Sequence, residues 1–377
     1  MKELYHLKNT WLKKKKEWIC MIERSAVLTL SAPLHHGSEK SRIKPEALPA
    51  GAKNNYTPHR RLPVLLKNGD ISTITLIPAV SGNSIRHLWR ESLVDVTLHT
   101  LGLKRKDLEK NILETFVSGG GMDASDAAKN DSEEEKQEKA KAKKNALKPS
   151  VPILVRDRET LRAAVPMLSL FGCSYGNRML PGLVNVGWAI PALKQTEHIT
   201  NVPSTLPYTE DLTSFQILTR HDPLRDEMDE NQKSRQSIYY IEVVSPGVPF
   251  AHTYSINKFS TPIERSALQL AIDLFKDNPY LGGKGSIGNG KVKTDQWYDD
   301  LDVSSNVYLE FLRKNKDILV EYIRLWNKPE KLVQLKNGKE EIEFPSDLSQ
   351  ELDRLVKERE VSIQKEIQKQ AERVTKI

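Results

Sequence analysis

Apolar and polar positions first alternate in residues 24–34, where Ala26, Leu28 and Leu30 fall on one face of an expected strand that stops at Pro33. The same period of two returns in residues 62–66 and 71–77, on either side of Lys67-Asn68-Gly69-Asp70, which is a hairpin signal. After a small-residue turn over 77–84 the period changes. Ile85, Leu88, Trp89, Leu93 and Val96 recur at helical spacing, so a helix is expected with its cap near Asn83 or Ser84 and with Arg86, His87 and Arg90 near its first turns. A second short helix is expected over 107–116, and a third over 158–171, bent or broken at Pro166. Strands follow at 183–190, briefly at 215–218, and at 238–244 and 250–256 around Ser245-Pro246-Gly247. Thr261-Pro262-Ile263-Glu264 is a capping box with proline at the first helical position. Ile263, Ala267, Leu270, Ala271, Leu274 and Phe275 carry that helix to Asn278-Pro279. The last quarter is helical, over 307–312, 318–326 and 348–374.

Between these elements lie stretches with little to bury. Residues 35–62 read as a long surface loop rich in Pro, Gly, Lys and Asn. Residues 122–147 contain no aromatic and no β-branched aliphatic side chain, so they are expected to be a mobile insertion or a solvated charged helix. A further charged excursion spans 220–237, and a basic arm with Trp11, Leu12 and Trp18 precedes the first strand. No internal repeat is visible.

Residues 281–294, LGGKGSIGNGKVKT, gather five glycines and three lysines. Gly283, Gly285 and Gly288 spell GxGxxG, and Gly285 to Lys291 spell GxxxxGK. Both nucleotide motifs require a strand before the glycines and a helix after them. Here a helix precedes, Val292 stands where a P-loop has Ser or Thr, and Val292-Lys293-Thr294 reads as strand. A loop of bare backbone and lysines beside a sheet still suits a phosphate chain. A turn that merely lets helix and strand approach closely would use the same glycines.

A formal charge of +7 and a pI near 9.1 favour a polyanionic partner. Cys20 and Cys173 form no CxxC, which fits a reducing cytoplasm, and no apolar run is long enough for a membrane span. The nine histidines offer no HxH, HxxxH or HExxH spacing, GxSxG is absent, and no cofactor site is recognisable. His35 and His36 are adjacent and would point to opposite faces of an extended chain, as loop residues. What recurs is glycine, cation and strand together, at 81–90, 172–187 and 282–293. Backbone-directed RNA binding needs that combination, with Tyr175, Met179 and Trp188 available for stacking or for the core.

In order, the Leu-His-His-Gly end of the first strand, IPAVSGNSIRHLWR, EVVSPGVPFAHTYSI, the capped helix and LGGKGSIGNGKV resemble the RAMP superfamily of CRISPR-Cas systems. LSLFG and MLPG over 168–182, TRHD at 219–222 and WYDD at 297–300 are most similar to the type IV backbone subunit. The resemblance implies an α+β fold: an RRM-type, ferredoxin-like antiparallel sheet with thumb-like and finger-like insertions and a helical C-terminal region. On that plan a basic arm occupies 1–21 and the palm 22–117, 151–192 and 238–296. A charged insertion then fills 118–150, a thumb 193–237 and helices 297–377. It also implies a non-enzymatic role, with copies of the chain stacked along CRISPR guide RNA beside other effector subunits and a target nucleic acid. The implied RNA contacts are Ser81, Asn83, Arg86 and Arg90, then Arg178, then Arg220 and His221 in the thumb, and Gly283, Lys284 and Lys291. Type III relatives cut target RNA with an Asp after the first strand, yet residues 35–66 contain no Asp. The alternative is a processing endoribonuclease of the same superfamily, with His35, His36 or His59 as general acid or base.

Overall fold

The computed structural model describes residues 21–37, 56–120, 155–175, 178–220, 237–326, 333–336, 339–342 and 345–375. The basic arm, the 122–147 tract and most of the 220–237 excursion lie outside them.

Strand β1 (Met21–Leu30) buries Ala26, Leu28 and Leu30, as the alternation requires. After β2 (Tyr56–Thr57), strands β3 (Arg61–Asn68) and β4 (Ile71–Pro78) form the expected hairpin, with Gly69 at φ 62° in its turn. Helix α1 (Gly82–Leu101) begins before the predicted cap. Ser81, extended at φ −70° and ψ 142°, accepts the Ser84 N–H on its hydroxyl at 3.3 Å, which is the geometry of an N-cap. Helix α2 (Lys110–Val117) starts later than expected, because a 3₁₀ turn over Arg105–Asp107 comes first and the Asp107 carboxylate accepts the Lys104 N–H. Helices α3 (Val155–Ala164) and α4 (Pro166–Phe171) are divided at Val165 by the proline, which tolerates a helix start but not its interior.

The region after α4 is more broken than its pattern suggests. A hairpin of β5 (Cys173–Tyr175) and β6 (Arg178–Leu180) leads to β7 (Val184–Val186) and β8 (Ile190–Pro191), which divide the single strand expected over 183–190. Strand β9 (Thr213–Arg220) is longer than predicted because it pairs along its whole length with β10 (Ser237–Val244). Then come β11 (Pro249–Asn257), α5 (Pro262–Asp277), β12 (Val292–Gln296), α6 (Asn306–Lys314), α7 (Lys316–Trp326) and the long α8 (Ser346–Thr375). The capping box closes as read: Glu264 N–H donates to Thr261 Oγ1 at 3.2 Å and Thr261 N–H to Glu264 Oε2 at 2.8 Å.

The central sheet runs β12-β1-β11-β7, each neighbouring pair antiparallel, with β8 also pairing β11. In chain order this is β1-α1-β7-β11-α5-β12, the split βαββαβ plan of ferredoxin-like folds, so the α+β class holds. Helices α1 and α5 contribute Ile85, Trp89, Leu93, Leu268, Ala271 and Ile272 to the main core. A small satellite core of Val64, Leu66 and Ile77 sits under the β3–β4 hairpin.

Helix α8 docks by Leu348, Leu352 and Leu355, and then by charge. Arg359 pairs with Glu264 at 3.0 Å and Glu159 at 2.7 Å, while Arg265 pairs with Glu366 at 3.1 Å. Glu264 is 1% exposed, so Arg359→Ala takes the ion-pair partner from a buried carboxylate, although Thr261 and Ser169 still donate to it and the charge of Arg162 remains near. A loss of about 2–3 kcal/mol in urea unfolding is expected. A loss below about 0.5 kcal/mol would show that the pair is only a surface contact.

Candidate nucleic-acid interface

Three sequence-distant segments meet at the end of β1. Gly283 N–H donates to the His35 carbonyl at 2.7 Å, and Gly290 N–H donates to the Pro33 carbonyl at 2.7 Å, which straps the glycine loop onto the strand end. On the other side, His36 Nε2 lies 3.2 Å from Ser81 Oγ and accepts the Ser81 N–H at 3.3 Å, which ties the same strand end to the start of α1. His35 and His36 are therefore not free loop residues. His35 is buried, with Nδ1 2.8 Å from the Glu242 carbonyl, and a carbonyl only accepts, so Nδ1 carries the hydrogen.

The loop glycines fall into two groups. At Gly290, φ 83°, a Cβ would stand 2.0 Å from the Leu281 carbonyl oxygen, and at Gly282, φ 70°, 2.3 Å from that of His35. Their smallness serves the fold. Gly283 and Gly285 are exposed, and their nearest neighbours would be at 3.9 and 3.7 Å, so nothing among the described residues needs them bare. Between them Lys284 is exposed in the left-handed region at φ 66°, which is uncommon for a side chain of its kind. Lys291 is exposed at the loop's far end, where its carbonyl accepts the Ser31 N–H at 2.8 Å. Buried Asn289 donates to Gln216 Oε1 at 2.7 Å and so links the loop to β9. If Gly283 and Gly285 are bare for a ligand, Gly283→Ala should leave thermal stability within about 0.5 kcal/mol of the parent, since surface changes away from special backbone seldom do more. A larger drop in a melting experiment would return Gly283 to the packing group.

One turn along α1, Asn83, Arg86, His87 and Arg90 line a groove of about 520 Å³ closed by Gly119, Gly172 and the β5–β6 hairpin. No carboxylate is among its described lining residues. Arg86 is half-buried, and burial lowers its pKa. Arg90 stands deeper than its place in the helix implies, at 4% exposed. Its Nη2 donates to the Gly172 carbonyl and its guanidinium lies 5.5 Å from the Phe171 ring centroid, while Nη1 has no hydrogen-bond partner among the described residues. Burial, with the charge of Arg86, lowers its pKa to about 10. Two partly desolvated cations without a counter-ion among the described residues make this groove favourable for an anion.

Ser81, Asn83, Arg86, Gly283, Lys284 and Lys291 thus lie around the ends of β1, α1 and the loop. Arg178 and Arg220 lie in β6 and β9 by their backbones, but their side chains, like all of His221, lie outside the described residues. Met179 is 80% exposed beside the groove, and Trp188 is half-buried. Sequence reasoning missed the support behind the strand end. Glu242 is buried, forms an ion pair with Arg61 and accepts the His59 N–H at 2.8 Å. Its signal is a lone acid inside the apolar run YYIEVV of β10. The β5–β6 hairpin was also missed, although Gly176-Asn177 is a two-residue hairpin signal. Among the described residues no group of His, Cys, Asp or Glu could hold a metal ion, and no helix is long and apolar enough to cross a membrane.

The family model described as CRISPR-associated negative auto-regulator DevR/Csa2 matches residues 47–151, which contain the β3–β4 hairpin, α1 and the Ser81 to Arg90 cluster. CRISPR-associated protein Cas7/Csa2 1 of Saccharolobus solfataricus is 46% identical over 44 residues. This chain is similar to the CRISPR-associated Cas7/Csa2 proteins. The aligned stretch is 12% of this chain and 14% of the Saccharolobus Cas7/Csa2 protein. A solved chain titled Type IV-B CRISPR Complex aligns with 75% of this chain and 92% of its own length, at 16% identity and a TM-score of 0.45. The resemblance to CRISPR-associated proteins read from the ordered motifs is thus also found by the DevR/Csa2 and Cas7/Csa2 matches.

Proposed function

We propose that this chain is a non-catalytic backbone subunit that holds guide RNA in a type IV CRISPR effector complex. Copies of it line the RNA beside other subunits and the target nucleic acid. The observation that carries this reading is the meeting of Lys284, Lys291, bare Gly283 and Gly285, and the Asn83 and Arg86 end of α1 around one strand end. Cations beside an exposed backbone without side chains suit a phosphate chain and need read no bases.

Holding is favoured over cutting by the state of the histidines. Burial, then Arg60 and His35, lowers the pKa of His36 to about 4, and burial lowers that of His59 to about 3. At pH 7 neither is available as a protonated general acid, and His36 is already occupied with the Ser81 N–H. The test is single-stranded RNA binding over a range of salt. Lys284→Ala with Lys291→Ala should weaken binding and reduce the log–log salt slope by up to about two phosphate contacts. An unchanged slope would remove the loop from the interface. RNA cutting that His36→Ala abolishes would replace this reading with the endoribonuclease.

A further inference from the structure

The tail that follows β12 reaches back into the core and packs on Trp89 of α1. Tyr298 is buried, and its hydroxyl lies 2.7 Å from His252 Nδ1. His252, 1% exposed on β11, places Nε2 3.2 Å from the Gly187 carbonyl. That carbonyl can only accept, so Nε2 carries the hydrogen, Nδ1 presents a lone pair, and Tyr298 donates to it. One proton arrangement satisfies both bonds. Burial keeps the ring neutral, with its pKa lowered to about 4. Trp89 of α1 closes the ring in edge-on at 5.9 Å and also meets Tyr298 at 5.8 Å.

Gly187 is held at both its backbone groups, since its N–H donates to the Thr253 carbonyl at 2.9 Å. It is also the surface on which α1 begins. A Cβ on Gly82 would stand 2.1 Å from the Val186 carbonyl oxygen and 2.6 Å from that of Gly187, so helix start and strand end touch backbone to backbone. Just before the cap, Val80 and Ala189 exchange hydrogen bonds at 3.0 and 2.9 Å. Any shift of the Gly187 carbonyl is therefore passed to Gly82, and from there to Ser81, Asn83 and Arg86.

We infer that His252 and Tyr298 are positioning residues that set the seat of α1's first turn, and through it the geometry with which the α1 end meets RNA. Both are buried and act through the backbone. The inference rests on the RNA-holding reading for its functional consequence, while the positioning itself is measurable without RNA.

The test compares Tyr298→Phe, which keeps the ring and removes the donor, with two replacements of His252. Gln can place an amide N–H near the position of Nε2, whereas Asn reaches only that of Nδ1. Tyr298→Phe and His252→Asn should lower affinity for single-stranded RNA about threefold to tenfold, as expected when a buried bond is left open. His252→Gln should retain more of the affinity than His252→Asn. The salt slope should stay at the parent value in all three, because no phosphate contact is removed. Without RNA, ¹⁵N spectra at pH 7 should find His252 protonated on Nε2. Hydrogen exchange at Ser84 and Ile85 should quicken in Tyr298→Phe, while Leu93 to Leu98 keep their protection. An Nδ1–H tautomer, or unchanged exchange at Ser84 and Ile85, would overturn the positioning role. Unchanged RNA affinity with faster exchange would overturn its link to binding. A parent chain that binds no RNA, with tautomer and exchange as expected, would instead overturn the function proposed above.

Discussion

Acidification from pH 7 to pH 4 is expected to remove several kcal/mol of stability. His36, His59 and His252 are neutral in the fold with pKa values lowered to about 4, 3 and 4, chiefly by burial, and His35 is lowered in the same direction. In the unfolded chain each titrates near 6.5. Between these values the unfolded state binds more protons, so stability rises with pH across that window. It is fully present above about pH 6.5 and is lost as pH falls towards the folded values. Between pH 7 and pH 4, His36, His59 and His252 each contribute on the order of 3 kcal/mol at most, and His35, His36 and His59 act as one coupled group because their charges would repel. At the interface, protonating His36 abolishes its acceptor for the Ser81 N–H. Urea unfolding at pH 7, 6, 5 and 4 checks this. A stability that stays level to pH 4 would contradict the neutral cluster, and His36→Gln should flatten the curve if it is right.

Gly290→Ala is the substitution expected to damage the fold most. Its Cβ would meet a backbone oxygen at 2.0 Å, which no side-chain adjustment relieves, and its φ of 83° is disfavoured for alanine. Strain of this kind costs about 1–3 kcal/mol and forced overpacking a similar amount, so a loss of about 3–5 kcal/mol is expected. The strap to the Pro33 carbonyl would open with it. Lys284→Asn is the informative companion. Asparagine tolerates the left-handed region, so thermal stability should hold or rise slightly while RNA affinity falls. A Gly290→Ala protein as stable as the parent would show that the loop has another conformation open to it.

Most of the sheet could be read in advance where one face is buried. The alternation of β1 and the capping box of α5 depend on neighbours two to four residues away, so local pattern is enough. The α1 cap was misplaced because SGNS offers several polar caps in a row, and the choice of Ser81 follows from its contact with His36, which is distant in sequence. The β5–β6 hairpin and the split between β7 and β8 follow from pairing and close glycine contacts that a linear pattern does not contain. At the interface, the residue types around Ser81 and Lys284 were legible as glycine and cation clusters. That Gly283 and Gly285 are unneeded by the fold while Gly282 and Gly290 are required could not be read, because it depends on where the His35 and Leu281 carbonyls lie. The burial of Arg90 was equally hidden, since α4 and Gly172 come from elsewhere in the chain.

RNA held by this chain should accompany it on purification. The chain expressed with a guide-encoding RNA, purified at low salt, treated with nuclease and extracted, should yield single-stranded RNA protected in lengths that rise by a constant increment, in assemblies larger than one chain. A nuclease-treated protein that carries no RNA and remains a single chain would contradict it.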